Sequence, residues 1–403
     1  ARPPMWKKDS DASWQWIVRN AHYGPNRKPP EPDFKRWESQ AEKRRGTMLE
    51  DAPPSGYAYM STFSEPWRDW LTFWVIDKYV GDYGCGAAYL DTLHYGAESP
   101  EYNPYMNMHG EGHGGQYRQG LAKRIRDEGR AINPMWMPVQ EMQCDAYGMY
   151  VGYMIGASAI DTEMLRYTHP DHVCFEGQTG SGWGSKRFKR YNSAWLYGNR
   201  LDHRLYEAWA VETVRMRQWL TRWLNASRFV DDLGLVIDNP DIRGKLHRVT
   251  DGGARGFVAT FHHTARMDNY PQNATLRGKT FEPTAVTIGL GPMAEVDGLD
   301  REGLTAQSFV PHRAILLELG RDPREIPFEI VRGDGSPKVR FELPPRQLSA
   351  VLFPSRATGP QSFLAQVDQV DFKQLDVKIF NPTDGTLRSE ERRVGKECVS
   401  ECR

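Results

Sequence analysis

Apolar positions along this chain follow two different rhythms, and the change between them falls near Arg243. In the first part Trp67, Trp70, Leu71, Trp74, Val75 and Tyr79 recur at helical spacing and form one wide apolar face. Ser64 and Pro66 start that helix and Gly81 and Gly84 stop it, so its tryptophans read as core. A run from Gly56 to Ser61 reads as a buried strand. So does Gly86 to Leu90, which leads onto Asp91, and so does Met135 to Gln140, which leads onto Glu141. Between the last two, Tyr117, Leu121 and Ile125 mark the inner face of a helix that Asn133-Pro134 breaks. Strand, helix, strand is a βαβ unit, hence part of a parallel sheet. Asp171 to Glu176 reads as a further strand and Tyr206 to Leu224 as a helix, while Met149 to Ile160 fits either a buried helix or a strand with a turn. Residues 1–50 are polar and proline-rich, a covering segment with one short helix near Phe34 to Arg45.

Beyond Arg243 the runs shorten and no long helix intervenes. Gly256 to Phe261, Ala285 to Ile288, Ala314 to Leu317, Phe328 to Val331, Val339 to Leu343 and Val377 to Phe380 are separated by turn residues, which predicts an antiparallel β domain. Alternation in Val339-Arg340-Phe341-Glu342-Leu343 fits a sheet with one wet face.

Composition narrows the function classes. The chain has 403 residues, 39% of them hydrophobic, enough for two domains or a barrel with an appendage. Lys+Arg and Asp+Glu are both 52 and no basic stripe stands out, so nucleic acid is not an expected partner. No apolar run approaches the roughly 20 residues that span a bilayer, and no signal peptide is expected. Cys85, Cys144 and Cys174 show no CxxC spacing, so neither a disulfide framework nor a zinc knuckle is indicated. Aromatic residues make up 12% of the chain, with 13 Trp and 18 Tyr, a surplus that suits stacking on sugar rings as well as core packing. Residues 388–403, which hold Cys398 and Cys402, resemble the in-frame translation of a sequencing adapter and are set apart from the fold.

The candidate chemistry lies at strand ends. Asp91, Glu141 and Glu176 each close an apolar run, and α/β barrels place catalytic groups at the C-terminal ends of their strands. A pair of carboxyls about 5–9 Å apart can cleave a glycosidic bond, one protonated to assist the leaving oxygen and one ionised. Burial and the partner's charge raise the pKa of the more enclosed carboxyl, which suits it to be the acid. The bland reading of each acid is a helix cap or a salt bridge. In the loop Asn107 to Gly115, His109, Glu111 and His113 alternate. They can hydrogen-bond substrate hydroxyls, ligate a metal, or stand solvated in a glycine-rich turn. Trp136, Trp183 and Trp195 are candidates for stacking a sugar or for core.

The strand at Gly56 to Met60, the Tyr89-Leu90-Asp91 strand end, the His109-Gly110-Glu111-Gly112-His113-Gly114-Gly115 loop and the strand reaching Glu141 together resemble a bacterial barrel family of unknown function (DUF6259-like). That family is distantly similar to endo-α-N-acetylgalactosaminidase and α-galactosidase barrels, and the resemblance covers about residues 45–265. It implies a (β/α)8 TIM-type barrel followed by a β-sandwich, with Asp91 as nucleophile and Glu141 as acid/base, Glu176 competing for the second role. The chain departs from the family in its His-Gly-Glu-Gly-His loop and in lacking the first barrel strands, which implies an N-terminally incomplete barrel. The expected organisation is a covering segment over 1–50, a catalytic barrel over 51–265, an antiparallel β-sandwich over 275–387 and the tail 388–403. The expected activity is hydrolysis of an oligo- or polysaccharide without cofactor or metal. Two alternatives stand beside it: a metal-dependent hydrolase built on His109, Glu111 and His113, and a noncatalytic carbohydrate-binding protein.

Overall fold

A computed structural model describes residues 11–23, 60–90, 100–110, 115–141, 149–151, 153–156, 166–168, 173–176, 194–201, 208–225, 227–250, 254–263, 282–295, 303–333, 335–344, 348–355, 364–369 and 375–381. The chain divides into two compact units, residues 1–154 and 155–403.

The first unit opens with α1 (Asp11–Asn20) and continues with α2 (Glu65–Phe73). Ser64 caps α2 by accepting from the Trp67 N–H at 3.2 Å, and proline occupies its first turn, as the sequence predicts. The helix does not stay α to its end. From Trp74 to Asp82 it widens into a π-helix, closed where the Tyr83 N–H donates to the Lys78 carbonyl and where Gly84 takes a positive φ of 66°. Then follow β1 (Ala87–Leu90), α3 (Gly115–Ile132) and β2 (Met137–Glu141). β1 and β2 are parallel, with Ala87 opposite Met137 and Leu90 opposite Gln140, so the expected βαβ unit forms. Its core joins Val75, Ile76, Val80, Leu90, Leu121, Ile125 and Trp136. The undecided segment after Met149 contains a strand, β3 (Tyr153–Gly156), across which the division between the units falls. The helix expected at Phe34 to Arg45, the strand residues 56–59 and the tail 388–403 lie outside the described residues.

The second unit begins with β4 (Val173–Glu176) and β5 (Arg200–Leu201), again parallel, and continues with α4 (Ala208–Trp219) and α5 (Thr221–Asn225). Twelve strands follow: β6 (Ser227–Asp231), β7 (Leu235–Ile237), β8 (Ile242–Val249), β9 (Gly256–His263), β10 (Thr284–Gly289), β11 (Ile315–Glu318), β12 (Arg324–Glu325), β13 (Phe328–Val331), β14 (Lys338–Leu343), β15 (Leu348–Pro354), β16 (Leu364–Gln369) and β17 (Leu375–Phe380). Ten of them build two antiparallel sheets, of order β12-β11-β15-β9-β8-β6 and β13-β14-β10-β7, while β16 and β17 pair as a ribbon. The two sheets share one core, in which Leu246, Phe257 and Phe261 of the larger meet Val286, Ile288, Val339 and Phe341 of the smaller. On its other face the six-stranded sheet packs Val258, Ile315, Leu317, Ala350 and Leu352 against Met216, Trp219, Leu220 and Trp223 of the helical segment. The unit is therefore layered as helices, six-stranded sheet, four-stranded sheet. β14, with one wet face, alternates buried and exposed as its sequence predicts, whereas β9 and β15 are buried along their whole length.

This corrects the domain boundary. Strands β6 to β9, residues 227–263, were expected in the barrel but pair antiparallel within the sandwich, because β9 is sheet partner to β15, with Val258 opposite Leu352. The parallel part among the described residues is correspondingly smaller, and the antiparallel sandwich larger, than the sequence reading assigns. No helix among the described residues is long and apolar enough to cross a membrane.

Candidate active site

Two of the three acids read from the sequence stand where parallel strands end. Glu141 is the last residue of β2 and Glu176 the last residue of β4, where Glu176 pairs with Leu201 of β5. Leu90, the last residue of β1, is opposite Gln140, and Asp91, next in the chain, lies outside the described residues. α3 fixes this register from behind. Leu121 and Ile125 face the unit's core, and the Trp136 indole lies against Gly129, where a Cβ would come within 2.2 Å of the ring. The Trp136 Nε1–H donates to the Ile125 carbonyl at 3.2 Å.

Burial corrects two of the tryptophan candidates. Trp136 is fully buried, its ring packed on the helix and its N–H satisfied, so it offers no face to a sugar. Trp195 is likewise fully buried, with Nε1 donating to the Ser349 carbonyl at 3.1 Å. Trp183 lies outside the described residues.

The histidine loop begins from an acid that the sequence reading did not single out. Glu101 is completely buried and its carboxylate gathers five donors. Oε1 accepts the N–H groups of Tyr23, Tyr102 and Asn103 at 2.8–3.0 Å, and Oε2 accepts from Ser61 Oγ at 2.5 Å and His22 Nδ1 at 2.9 Å. Burial pushes the carboxyl pKa up, but the hydrogen bonds from His22, Ser61 and the Tyr23 N–H outweigh it and hold the group below the ordinary carboxylate value. Asn103 extends the knot by donating to the Arg19 and Ala21 carbonyls, and Ser64 Oγ donates to Asn20 Oδ1. Residues 101–110 thus leave a fixed point: a 3-10 turn over Pro104–Met106, then Gly110, whose N–H donates to the Glu101 carbonyl at 2.7 Å. Gly110 has a φ of 100° and a Cβ there would meet the Tyr102 ring at 2.9 Å, so both backbone and space demand glycine. This turn presents His109 at the surface. Glu111 and His113 lie outside the described residues, among which no three His, Cys, Asp or Glu converge as a metal site. In sequence Glu101 is one more acid between prolines, and only its tertiary partners distinguish it.

In the second unit a shallow cleft of about 180 Å³ opens between α4, the β11–β12 turn and the β16–β17 ribbon, lined by Glu212, Arg215, Glu318, Arg321, Asp322 and Lys378 among others. Its charges are largely spent on one another: Arg324 and Arg321 reach Glu318 at 3.1 and 3.6 Å, and Lys378 reaches Asp322 at 3.2 Å. None of the candidate acids lines it.

The chain matches no family model, and no curated protein is significantly similar to it. Among solved structures it is similar to a cycloisomaltooligosaccharide glucanotransferase of Paenibacillus sp., with 9% identity over 75% of this chain and 67% of that one and a TM-score of 0.49. It is also similar to an α-amylase of Anoxybacillus (10% identity, 85% and 72% covered, TM-score 0.41) and to an α-amylase of Geobacillus thermoleovorans (9%, 83% and 71%, 0.41).

Proposed function

We propose that the protein is a glycoside hydrolase acting on an oligo- or polysaccharide through strand-end carboxylates, with Asp91 as nucleophile and Glu141 as acid/base, Glu176 being the alternative second carboxyl. The observation that carries this reading is the register of β1 and β2: the strands are parallel, Leu90 is opposite Gln140, and the next residue in each strand's sequence is an acid. Side chains leaving neighbouring parallel strands at one end can come within the roughly 5–9 Å over which paired carboxyls cleave a glycosidic bond. The βαβ unit supplies the rigid backing, since Leu90 and Trp136 are locked into the core below α3. His109, on its anchored turn, together with Glu111 and His113, supplies hydrogen-bonding groups for sugar hydroxyls, and Trp183 a stacking face. No metal takes part.

The test is turnover of activated aryl glycosides. Glu141→Gln should lower the rate by about 10²–10⁴-fold, and Asp91→Asn by at least as much, with the unfolding midpoint unchanged in both. Full activity in a folded Asp91→Asn variant removes Asp91 from the mechanism, and full activity in both variants ends the glycosidase reading.

A further inference from the structure

The most costly unexplained feature of the second unit lies beneath α4. Arg217 is 5% exposed and its guanidinium donates only to neutral oxygens. Nε reaches the Asn199 carbonyl at 3.3 Å, and Nη2 reaches the Gly198 carbonyl at 3.1 Å and Asn225 Oδ1 at 2.9 Å. No carboxylate among the described residues pairs with it, and the charged groups that act on it, Arg200 and Arg166, are cations. Burial and those two neighbours pull its pKa down to about 9, so at neutral pH it remains charged. Beside it Asn199 is 2% exposed, and neither its Nδ2 nor its Oδ1 has a hydrogen-bond partner, although its own carbonyl accepts from Arg217. His247 closes the group. Its Nε2 lies 3.0 Å from the Leu196 carbonyl, to which it donates, and a Cβ on Gly198 would lie 3.2 Å from its Nδ1.

A buried guanidinium with only carbonyl partners leaves most of its desolvation cost unrecovered. Buried amide groups without partners add to that cost, and such groups call for a bound species that completes them. What favours a negative species here is the guanidinium charge, which only neutral oxygens meet, together with the unmet Asn199 Nδ2 donor; Asn199 Oδ1 and His247 Nδ1 are unmet acceptors beside them. We infer that Arg217 and Asn199 bind a small monoanion, a halide or a single free carboxylate such as formate, taken up from solution. One unpaired cation calls for one negative charge, and the enclosure of both side chains excludes larger anions. The inference is independent of the glycosidase reading, because it concerns the seam between α4 and the 198–201 segment and uses none of the strand-end acids.

The experiment follows thermal unfolding of the full chain at constant ionic strength while chloride, bromide or formate replaces gluconate, which is too bulky to enter. A saturable rise is expected, roughly 3–6 °C at a tenfold excess over the dissociation constant. Chloride and formate distinguish the two sources of the charge. In Arg217→Met the rise should vanish, since the buried cation goes with the side chain. If that variant does not fold, bromide in wild-type crystals decides, with an anomalous peak expected within hydrogen-bond distance of Arg217 and the Asn199 amide. The absence of any saturable rise, its survival in a folded Arg217→Met, a water in place of the bromide, or a bromide only elsewhere would each overturn the proposal.

Discussion

At the scale of single residues, the buried Glu101 and the buried histidines of the second unit are held in opposite protonation states by opposite means. Glu101 is kept charged by five donors, and His247 and His262 are kept neutral by burial, with pKa values pulled down to about 3 and, for His247, further opposed by Arg166 and Arg217. Both make the fold acid-sensitive, by different routes. A histidine with a folded pKa near 3 takes up its proton on unfolding between about pH 3 and its ordinary value near 6.5. The unfolded state therefore binds more protons across that window, and stability falls as pH falls through it. Denaturant titrations between pH 7 and 4 should show this slope, and His247→Phe should reduce it by about one proton, since Thr260 Oγ1 still donates to the Leu196 carbonyl at 2.8 Å. Glu101 contributes stability above its unfolded value that is lost only as pH drops through its lowered folded one. Glu101→Gln keeps the shape but replaces one acceptor oxygen with a donor facing Ser61 and His22. It should cost about 2–3 kcal/mol in urea denaturation at pH 7; an unchanged midpoint would show that the knot is dispensable.

At the scale of elements, α3 permits a test with an internal control. Gly129 is pressed on Trp136, whereas Gly120 on the same helix faces open space. Gly120→Ala should stabilise by about 0.5–1 kcal/mol through helix propensity, while Gly129→Ala should destabilise by about 1–3 kcal/mol through overpacking. Thermal melts that shift the same way for both would contradict the packing of Trp136. The contrast also shows what was legible in the sequence. Helical spacing, the Ser64 cap and the Asn133-Pro134 break gave α2, α3 and the flanking parallel strands, because each is a local signal. A helix that continues as π beyond Phe73 was not legible, since the apolar spacing of Trp74, Val75 and Tyr79 fits α equally well. α1 was missed because its C-terminal end is held from elsewhere: Asn103 donates to the Arg19 and Ala21 carbonyls. Trp136 and Trp195 had the right residue type for a sugar site, but depth in a core is a tertiary property. Likewise, two strand ends and their acids could be named from sequence, while the Glu101 knot that anchors the histidine turn could not, because its donors come from three separate stretches of chain.

At the scale of the molecule the change of texture was visible but its boundary was misread, and the reason leads to a prediction. β8 is buried along nearly all its length, yet carries Lys245, His247 and Arg248, so it lacks the apolar run that marks a two-sided strand. Each of those groups is accommodated individually: Lys245 pairs with Asp231, His247 with the Leu196 carbonyl, and Arg248 with the Met293 carbonyl at 2.9 Å. The six-stranded sheet therefore needs β6, β8 and β9 from before residue 264, and its second face needs α4 and α5. A fragment of residues 275–387 would leave β15 with an unpaired edge where β9 belongs and expose Ile315, Leu317, Ala350 and Leu352. Such an edge and such a face promote aggregation. A fragment of residues 155–381 keeps every partner of both sheets. Expressed side by side, the longer fragment should be soluble and unfold cooperatively, and the shorter should be insoluble or lack a cooperative transition by circular dichroism. A cooperatively folded 275–387 fragment would mean that β10, β11 and β13 to β15 form a core of their own and that β6 to β9 are dispensable to it.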